Sequence, residues 1–327
     1  MILAGDIGGT KTNLAYFKIK DKRPVPAIEE TVRSRNFATL YDLLLTFISA
    51  HRLRIAHVCL SIAGPVVNQR SQTPNLPWVV DAYQLAKTLD LPTIWLINDL
   101  EANARGISEL EPSDFSVVHE GEERPDGNQA VISAGTGLGE AGLFWNGRHH
   151  IPFASEGGHA DFAPTDATQL ELLRYLMLTH EHVSYELVLS GAGLYNIYKF
   201  LRDSGRHQEP AWLKAAISSH DPAATIAESA LAEKSPLCLE ALNMFASIYG
   251  AEAGNLALKL MSLGGLFLGG GIAPKIIQKL KEPIFLKSMT DKGRMRALVE
   301  SIPVKVIMND KAALLGAARC AIQQLYD

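Results

Sequence analysis

An α/β chain of two domains is what this sequence predicts, on three observations. Strand-like and helix-like runs alternate through the first third of the chain. A glycine-rich hairpin at the N-terminus is echoed after residue 130. A length of 327 residues exceeds one typical domain, since about 150 residues per domain gives two.

The first apolar run, Met1 to Ala4, enters Gly5-Asp6-Ile7-Gly8-Gly9-Thr10-Lys11-Thr12, and Asn13 to Phe17 continues as a second strand, so the glycines form a hairpin turn. A polar segment, Lys20 to Asn36, follows. Leu40, Leu43, Leu44, Phe47 and Ile48 recur at helical spacing, and Ile55 to Ile62 is a β-rich run stopped by Ala63-Gly64-Pro65. The order then repeats: Asp81 caps a helix to Leu89, Pro92 breaks it, and Thr93 to Ile97 is a buried strand ending in Asn98-Asp99. Pro112 to Gly127 is loop-rich around a short apolar insert, Phe115 to Val118, and marks a domain junction. Residues 1–110 with 300–327 form a small α/β domain, and 111–299 a larger, helix-rich one.

Beyond the junction, Ala130 to Ser133, then Ala134-Gly135-Thr136-Gly137-Leu138-Gly139, then Ala141 to Trp145 repeat the strand, glycine loop, strand order. That echo suggests two related halves facing one another across a nucleotide. From Thr168 the chain is mostly helical, with Leu170, Leu173, Leu176 and Met177 on one face, then Leu194 to Phe200, and a long run from Leu237 to Leu263. Leu266-Phe267-Leu268 enters Gly269-Gly270-Gly271, and Pro274 starts a helix. Val304 to Ile307 is the last strand, and Lys311 to Gln323 an alanine-rich closing helix.

Composition excludes several classes. The net charge of −4 comes without any long Lys/Arg cluster, so nucleic acid is not a partner. Three cysteines, Cys59, Cys238 and Cys320, stand far apart in apolar or helical contexts, which gives neither a disulfide framework nor a zinc site and fits a reducing cytoplasm. The N-terminus has no basic leader, and the most apolar later stretch, residues 261–274, is glycine-rich and too short to span a bilayer, so no membrane role is expected.

The chemistry begins at the first hairpin. Gly8 and Gly9 let successive backbone N–H groups point into one concavity, and Thr10 and Thr12 add hydroxyl donors around an anion, which reads as a phosphate site. Asp6 carries the wrong sign for phosphate and suits the Mg²⁺ that accompanies a nucleotide. Taken alone, the same residues also read as a plain glycine-rich turn. A Walker loop is excluded because Thr10 precedes Lys11, and residues 137–142 match Gly-x-Gly-x-x-Gly without opening a helix, so a Rossmann turn is excluded too. Asn98-Asp99 stands at the end of a buried strand, either as a helix cap or with Asp99 as the base that takes a proton from an attacking alcohol. Glu156-Gly157-Gly158-His159 is either a surface turn or a tight turn aiming an acid and a histidine at adjacent hydroxyls. Glu186 by itself reads as a solvated residue, and His149 and His150 as solvent-facing.

Read together and in order, Gly5 to Thr12, Asn98-Asp99-x-Glu101-Ala102, Ala134 to Gly139, Glu156 to His159 and Leu268 to Ile272 resemble the bacterial ATP-dependent glucokinases over nearly the whole chain. The resemblance implies an actin-like, ribonuclease-H-like fold of two α/β domains hinged around a cleft, with transfer of the ATP γ-phosphoryl to the 6-hydroxyl of D-glucose. Asp99 matches the family's general base, and Asn98, Asp99, Glu156, His159 and Glu186 match its glucose-binding positions. Gly5, Asp6, Ile7, Gly8, Gly9, Thr10, Lys11 and Thr12 match the ATP-binding segment, Gly135, Thr136 and Gly137 a second phosphate loop, and Gly269, Gly270 and Gly271 the adenosine-side turn. Mg²⁺ would accompany ATP near Asp6, directly or through water. Gly250 to Asn255 resembles a small-residue helix near the hinge, and the family favours a homodimer. The cysteine-rich zinc motif of the related repressor and sugar-kinase group is absent, yet Thr73-Pro74-Asn75-Leu76-Pro77-Trp78 is closer to that group. Three rivals stand beside glucose phosphorylation: a kinase of another hexose or N-acetylhexosamine, a non-catalytic sugar sensor, and an actin-like ATPase. A sensor's DNA-binding head has no room ahead of residue 5, and an actin-like ATPase has no need of Glu156 to His159.

Overall fold

The computed structural model describes residues 1–73 and 76–326. Pro74 and Asn75, at the centre of the Thr73 to Trp78 segment, lie outside the described residues. Met1–Pro112 with Asn309–Asp327 form one compact unit and Ser113–Met308 a second, each built on its own mixed sheet.

In the first unit, β1 (Ile2–Ile7), β2 (Lys11–Lys20) and β3 (Arg23–Arg33) run antiparallel in sequence. β4 (His57–Ile62) then lies parallel to β1, a small hairpin of β5 (Arg70–Gln72) and β6 (Val79–Asp81) intervenes, and β7 (Ile94–Asn98) lies parallel to β4. The resulting order is β3-β2-β1-β4-β7. Alternation along the central strands sends Leu3, Ile7, Val58, Leu60 and Ile62 to one face and Ile2, Ala4 and Cys59 to the other. The first face is covered by α1 (Leu40–His51) and α2 (Ala82–Thr88), the second by α3 (Asp99–Gly106) and the C-terminal helix, Ala312–Tyr326. Thr39 and Asp42 form a capping box at the start of α1, and Asp81 caps α2 through the N–H groups of Tyr83 and Gln84, as its position ahead of the apolar run predicts.

The polar segment 20–36 is mostly β3, an edge strand that turns only Pro24, Ile28 and Val32 inward, which is why its charges hide its period. Against the sheet, α3 and the C-terminal helix meet without room for side chains: a Cβ on Gly106 would collide with the Ala312 carbonyl oxygen, and one on Gly316 with that of Ala102.

The second unit repeats the plan. β8 (Phe115–His119) comes first in the chain, then β9 (Gln129–Ala134), β10 (Leu138–Trp145) and β11 (His150–Ser155) form an antiparallel meander. β12 (Gly265–Gly269) and β13 (Val304–Ile307) add in parallel, giving the order β11-β10-β9-β12-β13-β8. The first five strands thus reproduce the connectivity of the first unit, and β8 closes the far edge antiparallel to β13. The apolar insert at 115–118 is therefore an edge strand, a pairing invisible to local sequence because its partner lies almost two hundred residues on. For the same reason residues 304–307, which the sequence placed with the small domain, belong to this second sheet, and the chain returns to the first unit only at Asn309.

The helices of this unit are α4 (Ala167–Leu176), α5 (Gly191–Asp203), α6 (Ala211–Ser219), α7 (Pro222–Leu231), α8 (Pro236–Leu260), α9 (Ile277–Leu280), α10 (Pro283–Thr290) and α11 (Arg296–Glu300). Among the helices α5 and α8 give the largest share of the core, with Tyr198, Phe245 and Tyr249 fully buried. Gly250 and Gly254 of α8, in the expected small-residue stretch, seat it against the backbone of α10 at Phe285 and Met289. Two local readings shift. In α4 the buried side is Gln169, Leu172 and Leu176, while Leu170 and Met177 are exposed, because Gln169 turns inward to bond Asp166, Thr165 and Ser247. Pro274 lies in a turn, and the helix after it starts only at Ile277. Among the described residues no helix is long and apolar enough to cross a membrane.

Gly316→Ala is expected to destabilise the protein by about 1–3 kcal/mol, the usual penalty of overpacking a closed contact. Urea denaturation measures it, and an unchanged midpoint would mean that α3 and the C-terminal helix separate without penalty.

Candidate active site

In the first unit, the register places β1, β4 and β7 level, with Ile7 beside Ile62 and Ile62 beside Asn98. The turn at Gly8, the turn at Gly64 and residue Asp99 therefore all leave the sheet at the carboxyl end of these parallel strands, where open α/β sheets place their chemistry. Asp6 sits laterally between Asn13 and Ser61. Its Oδ1 accepts from Ser61 Oγ at 3.2 Å and its Oδ2 from Asn13 Nδ2 at 3.5 Å. Burial raises its pKa and the two hydrogen bonds and Lys11 pull it back, while Asp310 raises it further.

The glycine turn is closed by Gly8 N–H donating to Lys11 O at 3.0 Å, and Gly8, Gly9, Thr10 and Lys11 reach the surface. Gly5, Ile7 and Thr12 do not. Gly5 and Ile7 are buried in β1, and Thr12, on the inward face of β2, bonds Ser34 Oγ at 2.9 Å. Ser34 in turn donates to Gly8 O at 2.6 Å. The Thr12 hydroxyl, expected around an anion, instead fixes the loop from below, because strand alternation turns it away from the surface that Lys11 faces.

At the end of β7 the cap reading of Asn98-Asp99 falls to Asn98. Asn98 is the cap: its Oδ1 accepts from Leu100 N at 2.8 Å and Glu101 N at 3.4 Å, and its Nδ2 donates to Gly64 O at 3.0 Å. Asp99 is then the first residue of α3, half-buried, with Oδ1 3.1 Å from its neighbour's N–H at Leu100.

The second unit brings the other candidates together around Leu138. Gly135-Thr136-Gly137 links β9 to β10 and is braced by Gly191 N–H, at the start of α5, donating to Gly135 O at 2.9 Å. Leu138 N–H donates to Glu186 Oε2 at 2.9 Å, and a Cβ on Gly137 would collide with that same carboxylate. Glu186 is thus no solvated residue; it fastens the glycine loop. Gly157–His159 is a single 3₁₀ turn, with the side chains of Glu156 and His159 exposed and Gly158 pressed onto Leu138 O where a Cβ would not fit. The turn is joined to the Glu186 segment by Tyr185 N–H to Ala160 O at 3.0 Å and Phe162 N–H to Val183 O at 2.9 Å. Of the three later glycines, Gly269 ends β12 against Ser133, Gly270 (φ +78) crosses the Ala134 carbonyl, and Gly271 opens to the surface. Gly135, Thr136, Gly191, Tyr195, Asp221, Gly271 and Lys275 line a cavity of about 610 Å³.

Sequence reasoning missed that cavity wall on α5 and α7, as well as Asn13, Ser61 and Asp310 around Asp6. Only the hairpin register, which sets Asn13 opposite Asp6, was within reach of the sequence. It also missed Glu140, a fully buried residue of β10.

The profile of the glucokinase family matches residues 3–324. A glucokinase of Nostoc punctiforme is 41% identical over 336 aligned positions, covering 98% of both chains. The chain belongs to the glucokinase family. Its activity is that of an ATP-dependent glucokinase, and its two-sheet α/β architecture is the actin-like fold of that family. The crystal structure of a glucokinase from an Antarctic psychrotroph superposes with a TM-score of 0.87 at 30% identity over 98% of both chains. A ROK family glucokinase from Streptomyces griseus, solved in complex with glucose and AMPPNP, shares the fold at a TM-score of 0.67 and 19% identity, over 98% of this chain and 99% of that one.

Burial, and then the facing Glu252, push the Glu140 carboxyl up to about 8 from an ordinary 4.5. The unfolded chain gives up this proton first, so rising pH across that window favours unfolding, and the effect levels off above it. Glu140→Gln, which cannot titrate, is expected to gain stability on the parent by on the order of a few kcal/mol between the two ends of the window. Urea midpoints at either end measure this, and a gap independent of pH would refute it.

Proposed function

We propose that Asp99 is the general base for transfer of the ATP γ-phosphoryl to the 6-hydroxyl of D-glucose, giving glucose 6-phosphate and ADP. The observation that carries this is the division of work at the end of β7. Asn98 supplies the cap, so the Asp99 carboxylate is held at the positive end of α3, where negative charge is favoured. There it takes the hydroxyl proton as the sugar oxygen attacks phosphorus.

The second N–H of the Asn98 amide, the exposed Glu156 and His159, and the remaining oxygen of Glu186 hydrogen-bond the sugar. A site built from several such groups rejects analogues that lack the matching hydroxyls more strongly than an apolar pocket does. The backbone N–H groups of Gly9 and Thr10 and of Thr136 and Gly137 hold the phosphates, while those of Gly8 and Gly135 close their own turns, and the cavity beside Gly271 receives the adenosine. Glu186 touches the second phosphate loop at Leu138, so one carboxylate serves both substrates.

Mg²⁺ fits at Asp6. A single carboxylate raised by burial and oriented by a hydroxyl and an amide is the donor this ion takes beside phosphate oxygens and waters. When bound, Mg²⁺ offsets the charge of the β- and γ-phosphates. A cytoplasmic location is supported by three unpaired, buried cysteines. A homodimer is supported by the exposed apolar face of the β10–β11 hairpin, formed by Phe144, Ile151 and Phe153, and light scattering at twice the chain mass tests it.

Release of ADP in a coupled assay with Mg-ATP, run against glucose, mannose, fructose, N-acetylglucosamine and no sugar, is expected to show turnover with glucose; strong preference for another sugar would overturn the glucose assignment. Asp99→Ala is expected to lose about 10²-fold to 10⁴-fold in kcat with the glucose KM largely kept. A near-normal rate would remove Asp99 from the mechanism. Asp6→Asn is expected to raise the Mg²⁺ concentration needed for half-maximal rate roughly tenfold or more, leaving the glucose KM in place.

A further inference from the structure

Beneath the sugar turn lies a group that no step above employs. Glu140 and Glu252, on β10 and α8, are 1% and 0% exposed, and their carboxyls face one another. The two oxygens of Glu252 are already served, Oε2 by Asn255 Nδ2 at 2.8 Å and Oε1 by Lys259 Nζ at 3.4 Å. Glu140 Oε1 has no hydrogen-bond partner among the described residues. Two buried carboxyls in contact cannot both be charged without strong repulsion, so they share one proton. Lacking the donors that Glu252 has, Glu140 is where that proton rests.

Glu140 also supports the turn above it. A Cβ on Gly157 would collide with the Glu140 carboxyl, so Gly157 lies directly on it. The Glu140 carbonyl accepts from Ser155 Oγ at 3.2 Å, and Ser155 Oγ itself accepts from Gly157 N–H at 3.2 Å. Side chain and main chain of one buried residue thus hold Gly157, the residue that follows Glu156 in the Glu156-Gly157-Gly158-His159 turn.

We propose that Glu140, protonated and paired with Glu252, is a positioning residue for the sugar-binding turn, and that its ionisation at alkaline pH displaces the turn and weakens glucose binding while ATP binding stays unchanged. This rests on the reading that Glu156 and His159 bind the sugar. The groups facing the pair are Tyr249, Lys259 and Asn255 from α8, Tyr185 from the 3₁₀ turn that follows Ser184, and Lys292 beyond α10, and burial keeps the Tyr249 hydroxyl protonated well above its ordinary range. Burial and then Glu252 hold the Tyr185 hydroxyl protonated far above its ordinary range, and Lys292 is lowered by burial. From β11 and the turn itself, the neutral Ser155 and Gly157 touch Glu140. Glu140, pushed up to about 8, therefore changes charge in mildly alkaline solution.

The test measures KM for glucose and for ATP between about pH 6 and about pH 10 in the parent protein and in Glu140→Gln, Glu252→Gln and Glu156→Gln. The parent is expected to show a glucose KM that rises roughly tenfold above the Glu140 transition, with the ATP KM level. Glu140→Gln keeps a neutral donor under the turn and Glu252→Gln removes the like charge, so each is expected to flatten the glucose profile. A rise persisting in either variant, or an equal rise in both KM values, overturns the proposal; if Glu140→Gln does not fold, Glu252→Gln carries the decision alone. Glu156→Gln separates this from the underlying reading. If it leaves the glucose KM unchanged at all pH values, the sugar assignment of the turn fails, whatever the other variants do.

Discussion

Backbone meets backbone in this chain more closely than a Cβ permits, and both the packing and the candidate site depend on it. Gly316 on Ala102 and Gly106 on Ala312 bring the C-terminal helix against α3, which carries Asp99 at its first position. Gly158 on Leu138 and Gly270 on Ala134 draw the Glu156–His159 turn and the Gly269–Gly271 turn onto the two ends of the second glycine loop. At each contact a carbonyl oxygen occupies the space a side chain would need. The geometry of the site is therefore set by main-chain approach, with the polar side chains mounted on turns that are already fixed.

The two sheets repeat one construction: an antiparallel meander of three strands followed by two parallel strands, with a glycine loop at the first hairpin. What differs is how each loop is braced. In the first unit the brace is neutral, running from Thr12 through Ser34 to the Gly8 carbonyl. In the second it is ionic, with the Glu186 carboxylate accepting from Leu138 N–H. Charge-assisted bonds of this kind are roughly twice as strong as neutral ones, so the second loop is the more firmly held of the two.

A buried carboxyl pair such as Glu140 and Glu252 rarely contributes to net stability, since desolvation opposes it and a well-packed apolar pair would serve the fold as well or better. Its persistence beneath a turn of glycines is easier to understand as orientation than as cohesion. An apolar residue at 140 would fill the same space, but it could not hold a hydrogen bond to α8 and so tie the turn to the long central helix.

Much of this was legible in the sequence because it is local. Apolar period gave α1, β4, β7 and α8, Asp81 before an apolar run gave a cap, and five ordered motifs gave the family. Three things were not legible, each for a physical reason. β3 and β8 are edge strands whose partners supply the pattern that their own residues lack. The β13 strand changed units because a parallel pairing with β12 is a long-range contact with no local signature. The roles of Asn98, Thr12 and Glu186 turned on which hydrogen bonds each side chain makes, a cap, a brace and a loop clamp. The sequence alone determined which chemistry the chain carries, since residue type and order decide that. Tertiary structure alone decided which polar groups are committed to holding the backbone and which remain for substrate, because a donor is satisfied only by what folding brings within about 3 Å of it.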